Sequence, residues 1–167
     1  MVDRLELVRK EIDEMLLNQP DVELRRRGYV HLYGVAQYCS MLAIKRGLDI
    51  ELCAIMGMLH DIYTYKHGYV KDHALLGVPE AEKILCELNL FTEEEMSIVK
   101  HAIAYHSDKK LIHDDYSELL KDADVLQNSL YNTSFEIKHV KRLKKALKSF
   151  GIKMKKKKVK DKKQKEL

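Results

Sequence analysis

Leu59-His60-Asp61-Ile62 decides how this chain is read: an imidazole and a carboxylate stand side by side at the end of an apolar helical run, Leu52 to Leu59. Neighbouring residues of an α-helix point about 100° apart, so both side chains reach one metal ion only where the helix is ending or the ion sits against its end. The Gly- and Tyr-containing stretch Ile62 to Val70 supplies such an ending, and a loop is expected from Tyr63 to Lys71. A His-Asp pair by itself is weak, because two residue types meet by chance in any chain. Its company carries the weight: His31 lies upstream, His73, His101 and His106 lie downstream, and Asp124 falls within Lys121-Asp122-Ala123-Asp124.

Outward from that pair the pattern is helical. Leu5, Val8, Ile12, Met15 and Leu16 form one apolar stripe in a helix from about Asp3 to Asn18, which Asn18-Gln19-Pro20-Asp21 breaks. A second helix is predicted from Val22 to Arg46 with Gly47 as its stop, carrying His31, Val35, Tyr38 and Leu42 at helical spacing. Asp49 caps the third, which ends at His60-Asp61. A fourth opens at Asp72 or His73 and reaches Leu88, with Pro79 placed to kink it. Thr92-Glu93-Glu94-Glu95 is a capping-box signature for a fifth helix reaching His106. Ser107 to His113 reads as a polar loop, and two further helices follow, Asp114 to Asn128 and Phe135 to Phe150. The expected fold is therefore an all-α bundle of six to seven helices, with no β-type alternation of useful length.

Bulk properties bound the classes of function. The chain has 167 residues, of which 46% are hydrophobic and 34% charged, ordinary values for one globular domain with a real core. No apolar run approaches the roughly 20 residues of a membrane span, and Met1-Val2-Asp3-Arg4 has no apolar signal segment, so a cytoplasmic location is expected. Cys39, Cys53 and Cys86 are odd in number, far apart and set in apolar helical patterns, which predicts buried free thiols in a reducing compartment. Nine Lys stand against Asp161 and Glu166 between Lys153 and Leu167, a local charge of +7, so the net +4 leaves −3 for the other 152 residues. The organisation expected is a helical domain over residues 1–151, with its motifs in 25–127, and a disordered Lys-rich tail over 152–167.

Together, Val30-His31-Leu32-Tyr33-Gly34-Val35, Met58-Leu59-His60-Asp61-Ile62 and Ala123-Asp124-Val125-Leu126 make the chain resemble the HD superfamily of metal-dependent phosphohydrolases. That resemblance implies a helical fold and a metal held by His31, His60, Asp61 and Asp124, with Asp61 as the bridge where a second ion is present and with His60 and Asp61 as catalytic residues. Imidazole and carboxylate ligands suit a divalent ion, with Fe, Mn, Mg, Zn and Co all open. Two ions roughly 3.5–4 Å apart can share a hydroxide and stabilise both the attacking and leaving oxygens of an in-line displacement at phosphorus. Some branches hold the second ion with extra histidines, and His73 in Asp72-His73-Ala74-Leu75 and His106 in Ala102-Ile103-Ala104-Tyr105-His106-Ser107 resemble those. His101 stands about 140° around an ideal helix from His106, so only one of them faces a shared ion, and His106 is preferred. Asp122 competes with Asp124, and the Ala-Asp-x-Leu resemblance favours Asp124.

The dull alternatives are specific. A lone His31 on a half-buried face is commonly structural, and His67, His113 and His139 read as solvent-exposed. The substrate implied is a phosphorylated small molecule such as a nucleotide, for which Lys66, Lys109 and Arg27 are candidate binders, although Arg25 to Arg27 equally fit a solvated face. The extra histidines are similar to those of the branch that hydrolyses diadenosine tetraphosphate, while the His-Asp-Ile-Tyr-Thr-Tyr segment departs from it. Two other classes of function stay open: a non-catalytic protein that holds nucleic acid or another anion through its basic tail, and a di-iron oxygenase with the same ligands.

Overall fold

The computed structural model describes residues 2–69, 71–132 and 138–154. Its described residues form eight α-helices and no strand: α1 (Arg4–Leu17), α2 (Val22–Arg46), α3 (Ile50–Leu59), α4 (Ile62–His67), α5 (His73–Leu88), α6 (Glu93–Tyr105), α7 (Asp115–Tyr131) and α8 (Val140–Ser149). Helix starts follow local chemistry. Asp3, Asp21, Asp49 and Asp114 each accept hydrogen bonds from backbone N–H groups of the following first turn. Thr92 and Glu95 complete a reciprocal capping box at α6. Gly47 ends α2 with φ 68°, a left-handed conformation that glycine adopts without strain.

α3 is the axis of the molecule. Every residue from Leu52 to Leu59 is buried, so this stretch of the helix has no solvent face and must be covered on all sides. α2 covers it most extensively, α1 lays Val8, Ile12 and Leu16 over it, and α6 and α7 complete the enclosure. The α2 and α3 backbones approach so closely that a Cβ on Gly57 would lie 2.6 Å from Ala36 Cα and 2.7 Å from Ala36 N. No helix among the described residues is long and apolar enough to cross a membrane.

Three expectations need correction. The predicted loop after His60-Asp61 contains α4. This helix of six residues holds because Ile62, Thr64 and Tyr65 are buried and because Gln19, buried itself, donates from Nε2 to the carbonyls of Tyr65 (2.7 Å) and Lys66 (3.2 Å). Those carbonyls would otherwise be orphans at a helix end. Cys39 and Cys53 are buried free thiols, but Cys86 is exposed, because the core-facing positions around it on α5 are taken by Ala81 and Leu85. His113 is half-buried, stacked on Tyr105 with ring centroids 4.2 Å apart and contacting Lys121 through Nδ1 at 2.6 Å. α5 runs unbroken through Pro79, and α8 is described from Val140, the expected start at Phe135 lying outside the described residues.

A buried charge cluster ties α8 to α7. Lys121 has no exposure, and its Nζ donates to Leu111 O (3.0 Å) and Glu118 Oε1 (2.8 Å). Arg142 of α8 reaches Glu118 (2.9 Å) and Asp122 (2.8 Å), and Arg46 also binds Asp122. Full pairing is what makes such burial tolerable.

The close contact of α2 and α3 gives a direct test. Gly57→Ala sets a methyl group against backbone that cannot swing aside, and about 3 kcal/mol of destabilisation is expected, a fall in Tm of roughly 6–12 °C for a domain of this size by differential scanning calorimetry. An unchanged Tm would show that the two helices separate freely.

Candidate metal centre

Five helices deliver six side chains to one place. His31 comes from the middle of α2, and Asp124 from α7. His60 is the C-cap of α3, His73 the first residue of α5, and His106 the C-cap of α6. Asp61 sits between α3 and α4 at φ −111°, ψ 19°, outside helical geometry. That break turns the His60 and Asp61 side chains, about 100° apart in a continuous helix, toward the same point.

The two carboxylate oxygens of Asp61 face different partners. Oδ2 lies 3.2 Å from His31 Nε2 and 3.4 Å from His60 Nε2, and Asp124 Oδ1 is 3.6 Å from His31 Nε2. Oδ1 lies 3.2 Å from Nε2 of both His73 and His106. Ligand atoms of His31, His60 and Asp124 fall within 4.8 Å of one another, and so do those of His60, Asp61 and His106.

The hydrogen bonds behind the rings set which nitrogen is bare. His60 Nδ1–H donates to Gly57 O (2.8 Å) and His106 Nδ1–H to Ile103 O (2.7 Å), since a carbonyl only accepts. His31 Nδ1–H donates to Gln127 Oε1 (2.8 Å), and Gln127 Nε2 donating to Val30 O fixes that orientation. In the neutral tautomer each of these rings turns an unprotonated Nε2 inward. Yet His31 Nε2 and His60 Nε2 are 3.1 Å apart, and His73 Nε2 and His106 Nε2 are also 3.1 Å apart. The lone pairs of His31 and His60 repel at that distance unless a cation lies between them. Asp61 Oδ1 is buried and makes no hydrogen bond, although two imidazoles stand beside it. Converging bare nitrogens around an orphaned buried carboxylate oxygen are the donor set a divalent cation requires, and the residues fit one.

Electrostatics follow the same geometry. Burial works to raise the Asp61 carboxyl, but His60, His106 and His31 prevail and hold it well below the usual carboxylate range. Asp124 is also held low against burial, chiefly by Lys109 and then by His31 and His60. Burial depresses His106, whereas for His31 the attraction of Asp61 outweighs burial and raises it.

The site opens onto a cavity of about 800 Å³ between α2, α7 and the start of α8, with His31, Asp124, Tyr65, Arg26, Arg27 and Lys109 in its wall. Lys109 Nζ bridges Asp124 Oδ2 and His106 O, both at 2.5 Å. The structure places Lys66 elsewhere: α4 turns it away from Tyr65 into an exposed pair with Glu80 at 2.6 Å, where it lines a separate cleft. His101 is exposed and bonded to Asp114 (2.8 Å), and Asp122 is spent in the Arg46 and Arg142 pairs. His67 and His139 are exposed, His67 pairing with Glu80 and His139 lining the cavity. Sequence reasoning missed Gln127 behind His31 and Asn128, whose Nδ2 donates to Asp124 Oδ1 at 2.6 Å. Their spacing of three and four residues from Asp124 on one helix was the available signal. Gly34 makes room for Gln127, whose Cγ would lie 2.8 Å from any Cβ there.

Comparison with known proteins agrees with this geometry. The family model described as HD domain matches residues 28–129. Ribonuclease Y of Lawsonia intracellularis is 32% identical over 117 residues, 68% of this chain but only 21% of that protein. YueE of Bacillus subtilis, provisionally named a phosphohydrolase, is 28% identical over 118 residues, 62% of this chain and 67% of that protein. The chain thus spans about a fifth of the first relative and about two thirds of the second. No solved structure matches it significantly. With a matching family model over more than half its length, the chain belongs to the HD domain family.

Proposed function

We propose that the protein is a metal-dependent phosphohydrolase that cleaves a phosphate ester or anhydride of a nucleotide-like substrate bound in the α2–α7 cavity. The observation that carries this reading is the division of Asp61: one oxygen faces His31 and His60, the other His73 and His106. A carboxylate so placed suits two ions, with His31, His60, Asp61 and Asp124 holding one and His73, His106 and Asp61 the other. Divalent ions held there supply Lewis acidity that makes water a nucleophile near neutral pH and offsets charge on phosphate. The imidazole-rich set favours Fe or Zn over Mg and Mn, which prefer carboxylate, carbonyl and water.

The remaining residues divide the work around that centre. Gln127 holds the His31 ring in one orientation, and Asn128 and Lys109 hold Asp124. Lys109 and Arg27 stand in the cavity wall where they can take a phosphate oxygen, and Tyr131, exposed in the same wall, offers a ring face to a base. The volume of about 800 Å³ suits an elongated substrate, and a dinucleoside polyphosphate is one candidate. The names of both relatives concern hydrolysis at phosphorus, which supports the reaction class. Residues 1–151 are read as the catalytic unit and 152–167 as a separate Lys-rich tail.

Metal content and turnover test the reading together. Anaerobically purified protein is expected to carry about two ions per chain and to release phosphate from a nucleotide panel that includes diadenosine tetraphosphate. Asp61→Ala is expected to lose the ions and to lower turnover by more than about 100-fold, and chelation should abolish turnover reversibly. Absence of bound metal together with absence of metal-dependent turnover would overturn the reading. Gln127→Leu removes the acceptor behind His31 together with a long hydrogen bond to Val30 O, and metal titration should show affinity weakened roughly 10–100-fold with the fold intact. Wild-type affinity in that variant would mean that His31 is not a ligand.

A further inference from the structure

We propose that the exposed face of α8 is a binding track for single-stranded nucleic acid that starts at the mouth of the cavity. α8 buries Leu143, Ala146 and Leu147 against the core. Lys141, Lys144, Lys145 and Lys148 point the other way, at spacings i, i+3, i+4 and i+7, and all four are exposed. On a 3.6-residue helix they share an arc of about 100° and cover about 10 Å along the axis. α8 contains no acidic residue, and none of the four lysines has an ion-pair partner among the described residues. Lys pairs four apart repel, so the stripe weakens the helix that carries it unless an anion lies along it.

Its position gives that anion a destination. Lys138 and His139, just before α8, line the cavity together with Arg26, Arg27 and Lys109, so cations run from the interior of the cleft onto the outer face. Tyr131, 54% exposed in the same wall, presents a ring on which a base can stack. Charge is sharply divided along the chain: residues 138–167 hold fifteen Lys and Arg against Asp161 and Glu166, which is +13, and the net +4 leaves −9 on residues 1–137. Net negative charge on residues 1–137 disfavours a polyphosphate strand on that part of the chain as a whole and leaves the basic stripe of α8 as the more attractive contact. An anionic membrane would satisfy the charge, but surface helices that lie in membranes insert an apolar face, and that of α8 is consumed by the core. The binding is independent of the hydrolytic reading, so each stands or fails separately.

Fluorescence anisotropy of the full chain with a labelled single-stranded oligonucleotide of about 20 nucleotides tests it, over a salt series. The quadruple variant K141Q/K144Q/K145Q/K148Q, with the later lysines intact, should bind at least about tenfold more weakly and show a salt slope shallower by about 3, four contacts at about 0.7 each. The corresponding quadruple Arg variant should retain binding, and thermal melting should be no lower than wild type in the Gln variant, where the repulsion along α8 is relieved, and close to wild type in the Arg variant. Wild-type oligonucleotide affinity in the Gln variant would overturn the proposal and assign any binding to the residues after 152. Loss of binding to phosphatidylserine vesicles with oligonucleotide affinity preserved would overturn it in favour of a membrane surface.

Discussion

A buried carboxylate encircled by imidazoles is the constraint to which the rest of this molecule answers. Asp61 alone carries little structural consequence; its neighbours do. Three rings have their Nδ1–H groups committed to Gly57 O, Ile103 O and Gln127 Oε1, so each must turn a lone pair toward the same small volume. Positive charge is then a structural requirement of the centre. The capping geometry around it follows from this need, because two consecutive residues can converge only where a helix stops, and α3 stops at His60.

The scaffold meets that need by burying α3 from Leu52 to its end and using its C-terminus as the floor of the site. A helix apolar on every side has no preferred face, so its rotation is set by shape: Gly57 against Ala36 locks it to α2. Charge is handled in the opposite way in the first half of α7, just before Asp124. There Lys121, Glu118, Asp122, Arg142 and Arg46 neutralise one another inside the protein, and Arg142 also donates to Lys109 O at 3.3 Å. One charge cluster is closed upon itself, and the other is left with its nitrogens bare.

Much of this was legible in the sequence wherever the determining chemistry is local. Helix limits such as Val22 to Arg46 follow from Asp21 and Gly47, which act on residues within one turn. The meeting of His31, His60, Asp61, His73, His106 and Asp124 was readable from their flanking text, not from periodicity. What escaped depends on distant partners. α4 exists because Gln19, 46 residues before Tyr65, closes its carbonyls. The complete burial of Lys121 depends on Leu111 O and Glu118 being in reach, and a lysine in a sequence announces exposure. Lys66 stands close to Asp61 in the chain, yet helical rotation carries it to Glu80, so nearness in sequence misjudged direction.

The shared backbone contact between Gly57 and Ala36 reaches further than core packing. His31 lies five residues before Ala36 and His60 three after Gly57, so the spacing of those two imidazoles is inherited from backbone touching backbone, with no rotamer in between. His73 and His106 stand at helix termini, on α5 and α6, and Gly77, one turn after His73, brings α5 within ordinary contact distance of the His60 carbonyl and of Ile103 on α6. Small residues thus set helix spacing on both flanks of His60: a side chain added at Gly57 would push α2 away, and one larger than a methyl at Gly77 would push α5 away, each carrying a histidine with it.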